Sequence, residues 1–200
     1  MMFKLIEVLG MIAFALSGVI EARRRNMDLM GVFAISLITS FGGGTLRDIL
    51  LNRRPLYWIE NQELTILVLV VSFVASVTLS SKRFHVTEKT ILFPDALGLG
   101  LYSASGVAIA LHSGTTSFIA VIIGIISASF GSVLRDIACN EIPIIFRRGQ
   151  LYATCSFFAS LAFVIMRNLH VSDTYSIFVC IIITAVMRAF AVKYDVKLPL

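Results

Sequence analysis

The chain has 200 residues, 58% of them hydrophobic and 14% charged, with a net charge of +5, and its mean hydropathy is +0.90. Soluble domains carry about a quarter charged residues, so this composition excludes a soluble enzyme or binding module and implies a protein embedded in a bilayer. The basic excess lies in short connections between apolar runs, a pattern of membrane topology rather than of a nucleic-acid-binding face.

Seven apolar segments follow one another at approximately 4–21, 28–51, 63–80, 91–111, 115–139, 150–167 and 173–192, each long enough or nearly so to span a bilayer core. The first has the look of a signal peptide, but Glu7 interrupts it and Arg23, Arg24 and Arg25 follow it, so it reads as a retained span. The second contains Gly42-Gly43-Gly44 and then Arg47-Asp48, with Pro55 beyond; the fourth opens on Pro94-Asp95. The fifth contains Ser127, Ser129, Gly131 and Ser132, then Arg135-Asp136, with Pro143 beyond. In the seventh, Arg188 lies near one end and reads as a snorkelling anchor. Tyr57, Trp58 and Tyr175 fit an interfacial belt. Cys139, Cys155 and Cys180 lie in or beside apolar segments and read as small hydrophobes. His85, His112 and His170 have no ligand spacing, and no nucleophile–base constellation appears, so neither a metal site, a catalytic residue nor an enzyme is expected.

Shifted by 88 positions without a gap, the chain repeats itself. Gly10, Ser17, Gly18, Val19, Ala22, Ile38, Gly43, Leu46, Arg47, Asp48, Ile49, Asn52 and Pro55 all meet their own residue type, far more than chance gives even in so apolar a chain. The expected architecture is all-α, one transmembrane domain over 1–200: repeat one about 4–80, repeat two about 91–167, and a seventh helix about 173–192. Three spans per repeat is odd, so the second copy crosses in the opposite sense, as an inverted repeat. Lys and Arg counts set the orientation. Arg23, Arg24, Arg25, Lys82, Arg83, Lys89, Arg147, Arg148, Arg188, Lys193 and Lys197 (11) fall on one side, against Lys4, Arg53, Arg54 and Arg167 (4); Arg47 and Arg135 within spans complete the 17. The richer side is expected to be cytoplasmic, with the N-terminus outside and the C-terminus inside.

Charges and helix breaks within spans are costly and mark function. Three successive glycines each lose about 1 kcal/mol against alanine in a helix, and a broken helix must find partners for its backbone or face water. Gly42, Gly43, Gly44 and Thr45, with Ser129, Gly131 and Ser132 in the second copy, are therefore expected helix breaks lining an aqueous path. The alternative is close helix packing. Neighbours at i and i+1 point in different directions on a helix, so each Arg-Asp pair is not expected to neutralise itself. The register aligns Glu7 with Asp95, and Glu7 is expected to neutralise Arg47 while Asp95 neutralises Arg135. Asp48 and Asp136 would draw cations to the two mouths, with Arg47 and Arg135 as gates. The bland alternative has the arginines snorkelling and the aspartates capping loops.

The stretch Gly42-Gly43-Gly44-Thr45-Leu46-Arg47-Asp48 resembles the GGGxxRD signature of the prokaryotic TRIC family, the trimeric intracellular cation channels. Ser129-Phe130-Gly131-Ser132-Val133-Leu134-Arg135-Asp136 is similar to the matching second-half element. The resemblance covers essentially the whole chain. It implies a homotrimer in a prokaryotic inner or plasma membrane. One hydrophilic pore would run through each protomer, lined by kinked second and fifth helices and passing monovalent cations, chiefly potassium. Membrane lipid is expected as a partner, with a bound lipid a candidate, and no cofactor or nucleic acid is expected. The same family is also described as a glycine transporter, and a small-zwitterion carrier working by alternating access is the alternative reading.

Overall fold

A computed structural model of the chain describes residues 2–79, 88–147, 151–194 and 196, with no side chain described for residues 2, 3, 88 and 89. The expected span ends Ser80 and Gln150, the histidine His85, and the basic residues Lys82, Arg83, Arg148 and Lys197 lie outside the described residues, as does the side chain of Lys89. The described residues are helical: α1 (Met2–Arg24), α2 (Leu29–Leu50), the single turn α3 (Tyr57–Glu60), α4 (Gln62–Leu79), α5 (Glu88–His112), α6 (Ser117–Ala138), a 3-10 turn (Ile144–Phe146), α7 (Ala153–Asn168) and α8 (Asp173–Lys193). Six of these are long and apolar enough to cross a membrane; α7, with 16 residues, is shorter.

The helix ends are written locally. Asp28 caps α2 by accepting from Gly31 N at 2.8 Å, and Thr116 caps α6 by accepting from Ile119 N at 3.4 Å. The C-termini close by the Schellman arrangement. Arg53 N donates to Asp48 O and Glu141 N to Asp136 O, each at 2.8 Å. Asn52 and Asn140 supply the left-handed residue at φ 51° and 56°, a conformation that asparagine tolerates better than most side chains. Cap for cap, these positions stand 88 residues apart. Pro94 lies inside α5 rather than at its start.

Packing follows the repeat as well. The principal contacts pair α1 with α2 and α5 with α6, join these pairs through α1–α5 and α2–α6, and set α4 on α1 and α2 as α7 sits on α5 and α6. α8 breaks the correspondence by covering α5 and α7. Several contacts are reciprocal under the shift. A Cβ placed on Gly43 would lie 1.9 Å from Ser127 O, and one on Gly131 would lie 2.2 Å from Thr39 O; residues 39 and 127, like 43 and 131, are 88 apart. A Cβ on Gly10 would meet the Tyr102 ring, and one on Gly98 the Phe14 ring, each at 2.7 Å. Phe14 and Tyr102, again equivalent, pack ring to ring with centroids 5.2 Å apart.

These distances correct the expected helix breaks. α2 and α6 are helical without interruption through Gly42–Gly44 and Ser129–Ser132. Gly43 and Gly131 serve instead where the two backbones touch, a place that admits no side chain.

Candidate functional site: two buried charge clusters

Each half of the chain gathers one arginine and two carboxylates. In the first, α1 delivers Glu7 and α2 delivers Arg47 and Asp48. Arg47 Nη1 donates to Glu7 Oε1, and its Nε donates to Asp48 Oδ1 at 2.9 Å. In the second, α5 delivers Asp95 and α6 delivers Arg135 and Asp136. Arg135 Nη1 donates to Asp95 Oδ1 at 2.7 Å, and Nε to Asp136 Oδ1 at 2.9 Å. All six residues are between 1% and 7% exposed. Both cross-helix pairs expected from the register are therefore formed.

Two expectations about the Arg-Asp neighbours fail. Their Cβ directions diverge, but the arginine side chain is long enough to curl back, so each Arg does pair with the Asp that follows it. Neither arginine snorkels, since both are buried. The aspartates do bind loops, as the bland alternative held: Asp48 Oδ2 accepts from Tyr57 N at 3.2 Å and Asp136 Oδ2 from Ile144 N at 2.9 Å. Each aspartate thus ties its helix end to the following loop while its other oxygen holds the arginine.

The clusters differ in detail. Asp95 is one methylene shorter than Glu7, and Ser17 from α1 joins it, donating to Asp95 Oδ1 at 3.1 Å and accepting from Arg135 Nη1 at 2.6 Å. Its counterpart Ser105 is buried with an unpartnered hydroxyl. In the first cluster, Arg53 stands 3.7 Å from Asp48 at the half-exposed edge. A small cavity of about 10 Å³, room for about one water, lies among Glu7, Arg47, Asp48, Thr45, Trp58 and Tyr102. Tyr102 donates from its hydroxyl to Ser40 O at 2.8 Å.

The remaining candidates have ordinary partners. Thr45 accepts from Trp58 Nε1 at 3.1 Å, and Trp58 stacks on Phe41. Ser129 donates to Ile125 O and Ser132 to Ser129 O, both at 2.7 Å. Ser132 also accepts from the Tyr152 hydroxyl at 2.9 Å. Gly42 abuts Leu134 and Gly131, whereas Gly44 is in looser contact: a Cβ there would lie 3.6 Å from the Tyr102 ring.

Sequence reasoning missed four side chains. Tyr152 has Leu64 as its counterpart, so the repeat gave no signal for it. Phe14 and Tyr102 were legible as aromatics at equivalent positions. Arg188 is no surface anchor: it is 1% exposed. Ser176, Cys180, Thr184 and Arg188 form an i, i+4 row on α8, and the small, polar character of that row was the available sign that it faces inward.

Fold and clusters together define a polytopic α-helical membrane protein with paired charges buried between duplicated helix sets. The family model described as Glycine transporter matches twice, over residues 4–80 and 92–168, ranges again 88 residues apart, and the chain belongs to this family, the TRIC family. It is 28% identical over 202 residues to the inner membrane protein YadS of Escherichia coli (strain K12), covering 97% of this chain and 93% of that one. It is 32% identical over 152 residues to a membrane protein of Deinococcus radiodurans, covering 76% and 70% respectively. Among solved structures, it is similar to one described as the structural basis for conductance through TRIC cation channels. There the TM-score is 0.87 with 32% identity, covering 100% of this chain and 97% of that one. It is also similar to the TRIC trimeric intracellular cation channel orthologue from Rhodobacter sphaeroides, with a TM-score of 0.88 and 28% identity, covering 98% and 99%. These similarities support a cation channel and indicate no enzymatic family.

Proposed function

We propose that the protein is a monovalent cation channel, chiefly for potassium, acting as a homotrimer with a path through each protomer. The observation that carries this reading is the pair of clusters. Glu7, Arg47 and Asp48 sum to one negative charge, which half-exposed Arg53, 3.7 Å from Asp48, offsets at its edge; Asp95, Arg135 and Asp136 sum to one negative charge as well, and there the carboxylate is in clear excess. Such a charge in a low-dielectric surround concentrates cations at the mouth and replaces part of the hydration shell. The arginines hold the carboxylates in place and limit how tightly an ion is bound, which conduction requires. Between the clusters, the touching rings of Phe14 and Tyr102 close the middle of the path, and Gly10 and Gly98 let the rings seat against the opposite helices.

Seven spans and an inverted repeat complete the proposal, with α7 as the sixth span. The reciprocal glycine contacts support the inversion, because two units that exchange the same contact are related by a two-fold axis, and three spans per unit put that axis in the membrane plane. The 11-to-4 charge bias supports an outside N-terminus. The trimer rests on the family resemblance and on the similar Rhodobacter protein, described as a trimeric cation channel orthologue; potassium rests on the family resemblance. The helices proposed to line the path are α2 and α6, through their charged ends.

The test is conductance of the reconstituted protein with Asp48→Asn or Asp136→Asn. Each substitution leaves its arginine one carboxylate partner and removes one negative charge. Conductance should fall, and fall further at low salt where screening is weak. Equal conductance at all salt concentrations would remove the clusters from the ion path. Saturable glycine uptake without potassium flux would replace the channel by the carrier.

A further inference from the structure

Three buried guanidinium groups stand in the described helices, and two of them are neutralised on the spot by carboxylates. The third, Arg188 on α8, is 1% exposed. Its Nη1 donates to Leu151 O at 3.1 Å, its plane lies over the Tyr152 ring with 4.9 Å from Cζ to the centroid, and its Nε and Nη2 have no hydrogen-bond partner among the described residues. Arginine does not shed its proton in proteins, and an uncompensated buried charge is costly.

The same corner holds a second set of donors. Leu151 and Tyr152 lead into α7, whose N-cap residue Tyr152 makes no side-chain capping hydrogen bond, and no other described side chain caps this end. The first N–H groups of a helix lack acceptors within it and favour an anion. With 16 residues, α7 spans about 24 Å, less than the roughly 30 Å of a bilayer core, and Arg188 stands five residues before the end of α8 at Lys193. Repeat one offers nothing equivalent, since α8 has no counterpart and Leu64 replaces Tyr152.

We propose that Arg188 and the uncapped N-terminus of α7 form a binding site for a phosphate-class oxyanion. A guanidinium fork meeting helix N–H groups matches phosphate oxygens in both charge and geometry. A lipid phosphodiester and free inorganic phosphate share this chemistry. The site adds to the channel reading and does not rest on it, because its test reads binding rather than current.

The test is thermal unfolding of the purified, detergent-solubilised protein. Inorganic phosphate is titrated against chloride at matched ionic strength, and phosphatidylglycerol against phosphatidylcholine in mixed micelles. The unfolding midpoint of the wild type should rise saturably with phosphate or phosphatidylglycerol and not with chloride or phosphatidylcholine. Response to phosphate assigns a free oxyanion, and response to phosphatidylglycerol alone assigns a lipid headgroup. In Arg188→Gln the apparent Kd should weaken by about tenfold or more, as for loss of a charge-assisted hydrogen bond. Arg188→Met, which removes the orphan charge at similar length, should elute as a folded species and lose the response too. No response in the wild type, or an equal response in wild type and either folded variant, overturns the proposal.

Discussion

Replacing Gly43 with alanine should destabilise the protein, while the same change at its neighbour Gly44 should not. The added Cβ at position 43 would lie 1.9 Å from Ser127 O, against the 3.0 Å below which real Cβ contacts essentially never fall. The difference, 3.0 − 1.9 = 1.1 Å, must come from separation of α2 and α6, because the clashing atom is backbone and cannot rotate away. Overpacking of this kind costs roughly 1–3 kcal/mol, and backbone against backbone puts it near the upper end. Alanine returns about 1 kcal/mol of helix propensity, leaving a net loss of about 2 kcal/mol. In a chain of this size that is a fall of roughly 4–8 °C in Tm. At Gly44 nothing lies closer than 3.6 Å, so only the propensity gain remains and Tm should rise by roughly 2–4 °C. Gly131→Ala, reciprocal to Gly43 with 2.2 Å to Thr39 O, should behave like Gly43→Ala. Thermal unfolding in detergent, followed by circular dichroism and by elution profile, reads all three. Equal Tm values for the Gly43 and Gly44 variants would refute the close-contact role of Gly43.

Three further outcomes follow from the charges. Glu7→Gln leaves Arg47 with Asp48 alone and should cost about 3 kcal/mol, but much less in an Arg47→Gln background; additive losses in the double-mutant cycle would mean that the pair contributes nothing. Cysteines placed between Leu111 and Thr115 should label from outside in intact cells, and labelling of the connection between α4 and α5 instead would reverse the topology. Arg25 holds the Glu141 carboxyl below its usual range through a hydrogen bond and its charge. The lowered folded-state pKa makes this contribution present above the usual carboxylate value of 4.5 and lost as pH falls through the folded value. Acid unfolding of Glu141→Gln should therefore show a weaker pH dependence there, and an unchanged profile would remove the tie.

The sequence made the charge clusters legible because the 88-residue register put Glu7 beside Asp95 in the same relation to an arginine, and burial of one charge demands another. It could not separate a broken helix from a close crossing at Gly42–Gly44. Both uses favour small residues, and only the facing carbonyl of Ser127 decides between them. The i, i+1 rule misled at Arg47-Asp48 because it follows Cβ directions, while a long, flexible side chain reaches back past its own Cβ. Arg188 was misread by position. Five residues from a helix end suits snorkelling equally well, and the packing of α8 on α5 and α7 is a tertiary fact. Tyr152 had no repeat partner to single it out. The helix termini were more local, since Asn52 and Asn140 mark left-handed caps that their own sequence neighbourhoods specify.

Single-channel recording in planar bilayers under a potassium gradient tests the central claim most directly. Unitary currents should reverse near the potassium equilibrium potential and grow smaller in Asp48→Asn and Asp136→Asn. A folded, reconstituted protein that gives no unitary events yet accumulates a small zwitterion saturably would contradict it.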